Sequence, residues 1–268
     1  MAMTATRHSL SSEELVLNER VTALAMQSAR PLIWHDVREH WPKRLLGGTC
    51  FILRFERGLV GITAAHVVTA YENAAHRGAD LICLLRTVPI NLNEAIIDRD
   101  EALDIATFSV TEDQLIESKA IAIDCRSQWP PPTPDCGDAI SVSGFPELFV
   151  KPSSYDRTEF RAYVSLTRVE DVTDRDIIST YEPERDFRVK AAPDFPDLGA
   201  NLSGCSGGPV LMHVERNGLH RWFPIGIVVR GPRASEDGLP REFDLYQFRR
   251  THFIATDGSI KRQLGWLP

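Results

Sequence analysis

The chain has 268 residues, with 30 lysines and arginines against 37 aspartates and glutamates, and a formal charge of −7. Hydrophobic residues make up 43% and charged residues 25%, which is typical of a globular protein and excludes collagen-like, disordered and disulfide-scaffold chains. The acidic balance argues against nucleic acid as a partner, because proteins of that class bind phosphates mainly through basic residues.

The cysteines and the N-terminus bear on the compartment. The five cysteines are scattered, odd in number and without a C-x-x-C pair for zinc or redox chemistry. The first nine residues contain no apolar signal core, and no segment approaches the roughly 18 apolar residues of a membrane span. We therefore expect a cytoplasmic protein that does not bind a membrane, with an unmarked export route left open.

Residues 1–44 are predicted to form an N-terminal helical extension. Ser11 or Ser12 is placed to cap a helix with acidic residues in its first turn. Apolar residues then recur at near-helical spacing until Pro31 ends the run, within residues 10–34. We expect this helix to pack on its own chain, with docking on a partner protein as the alternative.

Short strands separated by turn residues begin at Gly47. The strands predicted in the first half are Thr49–Glu56, Leu59–Thr63, Asp80–Arg86, Glu94–Ile97 and Ile105–Val110. The proline-rich run at 130–134 cannot join a central strand and predicts a stiff connection.

A second β-rich half follows that connection. Its predicted strands are Asp138–Ser143, Phe160–Thr167, Asp186–Ala191, Pro209–Val214 and Phe223–Val229, and residues 168–175 are polar enough to be a solvated loop. The chain is accordingly divided into the extension at 1–44, β halves at 45–128 and 129–235, and a short C-terminal segment at 236–268. This pattern is typical of an all-β sandwich or barrel.

Three short segments carry residues suited to catalysis. His66 follows an apolar strand between small residues and is either a buried core histidine or a base. Asp104 precedes another apolar strand, where it is either a cap or a hydrogen-bonded partner. Ser206 stands among Gly204, Gly207 and Gly208, in either a structural turn or a loop that presents a nucleophile.

Together these residues form a chemically consistent set. A serine hydroxyl attacks poorly until a neighbouring base takes its proton, and an imidazole with a pKa near 6.5 suits that transfer at neutral pH. A buried carboxylate such as Asp104 would fix the imidazole tautomer and stabilise the imidazolium.

The segments Thr63-Ala64-Ala65-His66, Asp104-Ile105-Ala106 and Gly204-x-Ser206-Gly207-Gly208-Pro209 occur in that order. In this the chain resembles the chymotrypsin/trypsin-like serine peptidase family, over roughly residues 45–232. Two further segments look like strands of that family: the run at 225–231 resembles the strand lining its specificity pocket, and the run at 137–146 resembles the strand opening its second barrel.

The resemblance implies two six-stranded antiparallel β-barrels that form one peptidase domain over residues 45–235. His66 would then be the general base and acid, Asp104 its orienting partner and Ser206 the nucleophile. The backbone N–H groups of Gly204 and Ser206 would form the oxyanion hole. The substrate would bind as an added strand beside Val229–Gly231.

The chain departs from the family pattern at its control and specificity positions. Cys205 stands where many secreted relatives have the aspartate that pairs with a cleaved N-terminus, so we expect no activation by that ion pair. Ala200, Val229, Arg230 and Gly231 fall at substrate-binding positions. They point away from cleavage after lysine or arginine and towards small or apolar side chains, with attraction of an acidic side chain by Arg230 as the alternative.

The sequence therefore predicts a regulated intracellular serine endopeptidase that acts on a protein or peptide without a metal or cofactor. The alternatives are a non-catalytic peptide-binding module and a latent protease that needs a partner, with the N-terminal extension as the place for regulation.

Overall fold

The computed structural model describes residue 20 and residues 23–40, 43–154, 157–180, 201–231 and 245–262. The predicted strand Asp186–Ala191 and the predicted substrate-binding residue Ala200 lie outside these described residues. No helix in the described part of the chain is both long and apolar enough to cross a membrane.

The first half of the chain forms an eight-stranded sheet with three short helices. Its strands are β1 (Arg30–Asp36), β2 (Leu46–Phe55), β3 (Gly58–Thr63), β4 (Leu81–Leu85), β5 (Val88–Pro89), β6 (Ile96–Asp100), β7 (Ile105–Val110) and β8 (Ile123–Asp124). Its helices are α1 (Ala65–His76), α2 (Leu92–Ala95) and α3 (Glu112–Glu117). The strand order is β5-β4-β1-β2-β3-β7-β6, and β8 pairs in parallel with β2.

The second half forms a seven-stranded sheet and a separate hairpin. Its strands are β9 (Ala139–Gly144), β10 (Val150–Ser154), β11 (Arg157–Phe160), β12 (Tyr163–Arg168), β13 (Asp171–Val172), β14 (Asp176–Thr180), β15 (Pro209–Arg216), β16 (Leu219–Arg230) and β17 (Leu245–Arg250). The large sheet has the order β12-β9-β15-β16-β17-β14-β13, and β10 pairs with β11 in the hairpin. The 3₁₀ turns are Glu147–Phe149 and Thr251–Phe253.

The all-β class predicted from the sequence is confirmed. The two main sheets are antiparallel apart from the β2–β8 pair, and each has six strands once the two-residue strands β5, β8 and β13 are set aside. The second sheet curls round so that β12, at one end of the strand order, approaches β14 near the other end. The buried hydroxyl oxygens of Thr167 on β12 and Ser179 on β14 lie 2.9 Å apart.

One hydrophobic cluster joins the two halves. It contains Phe51 and Ile62 from the first sheet and Leu211 and Ile227 from the second, all 1% exposed or less. Burial of a side chain of this size stabilises a fold by about 1.5–3 kcal/mol. The faces of the two sheets that meet are therefore held together by shared apolar packing.

The predicted N-terminal extension and C-terminal segment each contain a strand of one of the two sheets. Arg30–Asp36 is a strand between β4 and β2, although the sequence suggested helix towards residue 34. Leu245–Arg250, within the C-terminal segment 236–268, is a strand between β16 and β14. Short apolar runs do not distinguish strand from helix by themselves, and here the available sheet partners decide the outcome.

The helical part of the N-terminal segment ends earlier than predicted and packs on its own chain. Residues 23–28 are helical, and Ala25 and Ala29 are fully buried. The hydroxyl of Ser143 on β9 donates to the Ala25 carbonyl at 3.0 Å, and the Ile121 N–H donates to the Gln27 carbonyl at 3.1 Å. This segment therefore touches both halves of the molecule.

Candidate active site

His66 lies in the first turn of α1, immediately after the strand β3 that ends at Thr63. The helix begins without a capping side chain at Ala64 and has no acidic residue in its first turn. Its Val67, Val68 and Tyr71 side chains are buried, which fixes the helix against the first sheet. The His66 side chain is 48% exposed and so remains accessible from solvent.

Asp104 holds His66 through two hydrogen bonds. The Asp104 Oδ2 lies 2.8 Å from His66 Nδ1, and its Oδ1 accepts the His66 backbone N–H at 2.9 Å. The second bond satisfies one of the N–H groups that the first turn of a helix leaves without a partner, so Asp104 also caps α1. The predicted pairing of these two residues is present in the structure.

The backbone at Asp104 has the left-handed conformation, with a φ of 55°. Aspartate and asparagine adopt this conformation more readily than most other residues. The residue lies directly before β7, so the left-handed turn directs its carboxylate back to the start of α1. Asp104 therefore makes both contacts at once: it caps the first turn of α1 and holds the His66 ring at Nδ1.

The hydrogen bond at Nδ1 defines the role of the other ring nitrogen. A carboxylate accepts and does not donate, so Nδ1 carries the proton, and Nε2 of a neutral His66 keeps its lone pair. That nitrogen is therefore available to accept a proton from a hydroxyl group in the cleft.

The loop before β15 brings Ser206 to the same region. Gly204 and Gly207 have φ values of 98° and 86°, which glycine adopts without strain. A Cβ atom at Gly207 would lie 2.1 Å from the Thr49 carbonyl oxygen and 2.9 Å from the backbone nitrogen of Ala64. Gly207, which follows Ser206, therefore lies against Ala64, two residues before His66.

Thr49 on β2 fastens this loop to the first half of the molecule. Its backbone N–H donates to the Ser206 carbonyl at 2.8 Å, and its hydroxyl donates to the Gly204 carbonyl at 2.7 Å. The same hydroxyl accepts the Phe145 N–H at 2.9 Å, and the residue is fully buried. The sequence analysis did not single out Thr49, although a polar residue after Gly47-Gly48 in an apolar strand was a usable signal.

Two backbone N–H groups in the loop, those of Gly204 and Ser206, lack an acceptor within the part of the chain that the structure describes. The Ser203 carbonyl accepts the Glu147 N–H at 2.8 Å. In the trans peptide between Ser203 and Gly204, the Ser203 C=O and the Gly204 N–H point in opposite directions, so the Gly204 N–H points away from Glu147. Glu147 is a second contributor that the sequence analysis did not identify.

The Ser206 side chain is partly exposed and is not hydrogen-bonded to His66 within the described part of the chain. Bonds of this kind are often long in unliganded enzymes and tighten only with the substrate. The structure thus brings His66 and Asp104 into hydrogen-bond contact and places the loop that carries Ser206 near them, without a bond between Ser206 and His66 among the described residues.

The adjacent Cys205 is buried, and its thiol packs against Gly144 on β9. Burial raises the pKa of this thiol well above its usual value. Because the thiolate is the nucleophilic form of cysteine, these surroundings make Cys205 a packing residue.

The end of β16 provides an open strand edge next to the loop. β15 begins its pairing with β16 at Pro209 and Ile227, while Gly207 and Gly208 bond the main chain of Val228. Beyond that point, Val229–Gly231 has no partner on this side among the described residues, although Arg230 pairs with Gln247 on the other side. An extended peptide can hydrogen-bond to such an edge.

No group of three or more histidine, cysteine, aspartate or glutamate side chains is arranged to hold a metal ion within the ranges the structure describes.

Comparisons with known proteins add no argument about this chain. No family model matches the chain, and no curated protein matches it. A solved structure to which it is similar is a serine endoprotease from Yersinia pestis, with 14% sequence identity and a TM-score of 0.45 over 89% of this chain. This chain spans 63% of the length of that protein, and a likeness this distant transfers no function.

Proposed function

We propose that this protein is a serine endopeptidase that uses Ser206, His66 and Asp104. The observation that carries the proposal is the double hydrogen bond from His66 to Asp104, which leaves Nε2 as a base beside the Ser206 loop. The N–H groups of Gly204 and Ser206, which have no acceptor among the described residues, would add a site for negative charge at the same loop.

The proposed reaction begins at the hydroxyl of Ser206. Nε2 of His66 takes the hydroxyl proton while Oγ bonds to the carbonyl carbon of the substrate, and the carbonyl oxygen becomes an oxyanion. The N–H groups of Gly204 and Ser206 donate to that oxyanion. Asp104 stabilises the imidazolium through its bond to Nδ1.

The intermediate then collapses to an acyl-enzyme. The carbon–nitrogen bond breaks as the imidazolium of His66 gives its proton to the departing amine. A water molecule next attacks the ester carbon, with His66 again taking a proton, and the Ser206 oxygen leaves with the proton restored. No oxidant, reductant or metal is needed for these steps to balance.

A peptide is the favoured substrate because one edge of Val229–Gly231 has no strand partner among the described residues. Main-chain hydrogen bonds along that edge would hold an extended chain across the cleft. Val229 and Arg230 keep their proposed place beside the substrate side chain, with small or apolar residues as the expected preference.

Regulation through the N-terminal segment is part of the proposal. Residues 23–28 bond to Ser143 on β9 and to Ile121 after α3, so a partner that displaced them would disturb both halves. A reducing compartment is also proposed, because all five cysteines are free thiols.

An active-site fluorophosphonate tests the proposal directly. The reagent should form a bond between phosphorus and Ser206 Oγ with loss of fluoride, and intact mass spectrometry should show one adduct. Ser206→Ala should abolish the adduct, whereas Cys205→Ala, at the neighbouring position, should keep it. Absence of labelling in folded wild-type protein would contradict the proposal and favour a non-catalytic peptide-binding module.

A further inference from the structure

A large cavity opens between β1, the turn after α3 and the β10–β11 hairpin. Its volume is about 1290 Å³, above the roughly 300–1,000 Å³ of sites for small molecules. A smaller adjoining cavity reaches Gly204 and shares Ile33, Leu45, Phe145 and Phe160 with the large one. The two spaces are therefore neighbours, and the smaller one reaches the loop before β15 on the side of Gly204 that faces Glu147.

The wall of this cavity is strongly basic in a protein whose formal charge is −7. Its cationic residues are Arg30, Lys43, Arg86, Lys119, Arg157 and Arg161. Among the described residues the carboxylates in the lining are Glu39 and Glu159, and Glu39 already accepts the Arg44 N–H at 3.0 Å. In this described part of the lining, cations therefore outnumber carboxylates by six to two.

The guanidinium groups of Arg30 and Arg86 are held by backbone carbonyls. Arg30 is 8% exposed, and its guanidinium donates to the carbonyls of Ala29, Ser118 and Lys119. Arg86 donates to the same Ser118 carbonyl at 3.3 Å. Within the described residues no carboxylate forms an ion pair with either arginine. Carbonyl dipoles hold the two side chains in place and leave their net charge to act on the cavity.

The hairpin beside the cavity can bind an extended chain. Within the described part of the chain β11 pairs with β10 on one edge and with no strand on the other, and residues 157–162 line the cavity continuously. An open strand edge gives main-chain hydrogen bonds to a peptide and not to a nucleotide. Basic side chains along that edge match acidic side chains of the bound strand.

We propose that this cavity binds an acidic segment of the substrate polypeptide, several residues from the bond that Ser206 cleaves. Electrostatic attraction into a basic cleft raises the association rate and discriminates against basic chains. The assignment of the bound chain as substrate rests on the proposed peptidase function, whereas binding of an acidic peptide does not.

The binding test uses Ser206→Ala, so that no probe is cleaved. A fluorescein-labelled eight-residue peptide of alternating glutamate and glycine should bind at least tenfold more tightly than the glutamine–glycine equivalent. The double variant Lys43→Glu, Arg157→Glu should weaken the acidic peptide at least tenfold. The matched variant Arg57→Glu, Arg221→Glu changes the same charge at exposed residues outside the cavity lining and should change affinity less than twofold.

Several results would overturn the inference. Equal affinity for the two peptides would do so, as would equal effects of the two double variants. Tighter binding of a twelve-nucleotide oligouridylate, sensitive to Lys43→Glu and Arg157→Glu, would assign the cavity to nucleic acid instead.

Cleavage separates this inference from the proposed function. In a peptide library, wild type should favour aspartate and glutamate on one side of the cut, and the cavity variant should lose that preference. Fluorophosphonate labelling without any acidic preference would refute the cavity assignment alone. Charge-selective binding without labelling would refute the peptidase and leave an acidic-peptide site.

Discussion

The backbone N–H of Thr49 donates to the carbonyl of Ser206 at 2.8 Å, across the boundary between the two sheets. Thr49 lies in β2, whereas Ser206 lies just before β15, so this bond joins the half that carries His66 to the loop that carries the serine. With the Thr49 hydroxyl bonded to Gly204 and Phe145, one buried side chain positions the parts of the candidate site relative to each other.

Thr49→Val should disturb this position. The change leaves the Gly204 carbonyl and the Phe145 N–H without their partner, and each such loss costs about 1–3 kcal/mol when the group is buried. Urea denaturation should show about 2–4 kcal/mol less stability, and fluorophosphonate labelling should slow. Thr49→Ser keeps the hydroxyl and should restore the labelling rate; failure of that rescue would argue against a role of the hydroxyl in positioning.

Asp104→Asn should leave the fold in place and impair the base. Without the carboxylate, the tautomer with a free Nε2 is no longer enforced, and the imidazolium loses its counter-ion. Fluorophosphonate labelling should slow by about 10³ to 10⁴. Glu101→Gln removes an exposed carboxylate nearby and should label at the wild-type rate. A labelling rate for Asp104→Asn within tenfold of wild type would contradict the assigned role.

Gly207→Ala should be much more damaging than Gly218→Ala. Both glycines have a positive φ, so both variants pay the strain of a left-handed residue, about 1–2 kcal/mol. At Gly207 the new methyl group would also lie 2.1 Å from the Thr49 carbonyl, whereas at Gly218 nothing lies within 4 Å. The urea midpoints should give a loss of about 3–5 kcal/mol for Gly207→Ala. Equal losses would show that the close contact is unimportant.

His252 should make stability depend on pH. Burial, followed by the charges of Arg250 and Lys261, lowers its pKa to about 4, with Asp174 acting weakly in the opposite direction. The unfolded chain, with a histidine pKa near 6.5, binds the proton more readily between these values, so stability falls as the pH drops through that window.

The variant His252→Gln removes the titrating group. Between pH 7 and pH 5, wild type should lose about 1–2 kcal/mol more stability than the variant, after allowance for partial exposure. Urea denaturation at several pH values measures the difference, and parallel pH profiles would refute the assignment.

Local pattern was sufficient for several strands and insufficient for others. Ile105–Val110 was predicted with the bounds the structure has, because turn residues flank a short β-branched and aromatic run. Glu94–Ile97 was read as one strand, whereas α2 ends at Ala95 and β6 starts at Ile96. Residues 168–175 were read as a loop, yet Asp171–Val172 pairs with β14. Pairing partners distant in sequence decide such short segments.

The sequence by itself determined the all-β class and the residue types of the candidate site. Alternating short strands specify the class, and His66, Asp104 and Ser206 stood out because each is chemically unusual in its apolar or glycine-rich setting. Only the tertiary structure decided what surrounds them: the two hydrogen bonds from His66 to Asp104, the hydrogen bonds of Thr49, and a basic cavity lined by β1, the turn after α3 and the β10–β11 hairpin. Those relationships join residues as far apart as Thr49 and Ser206, and no local pattern records which distant backbone groups the folded chain brings within hydrogen-bond reach.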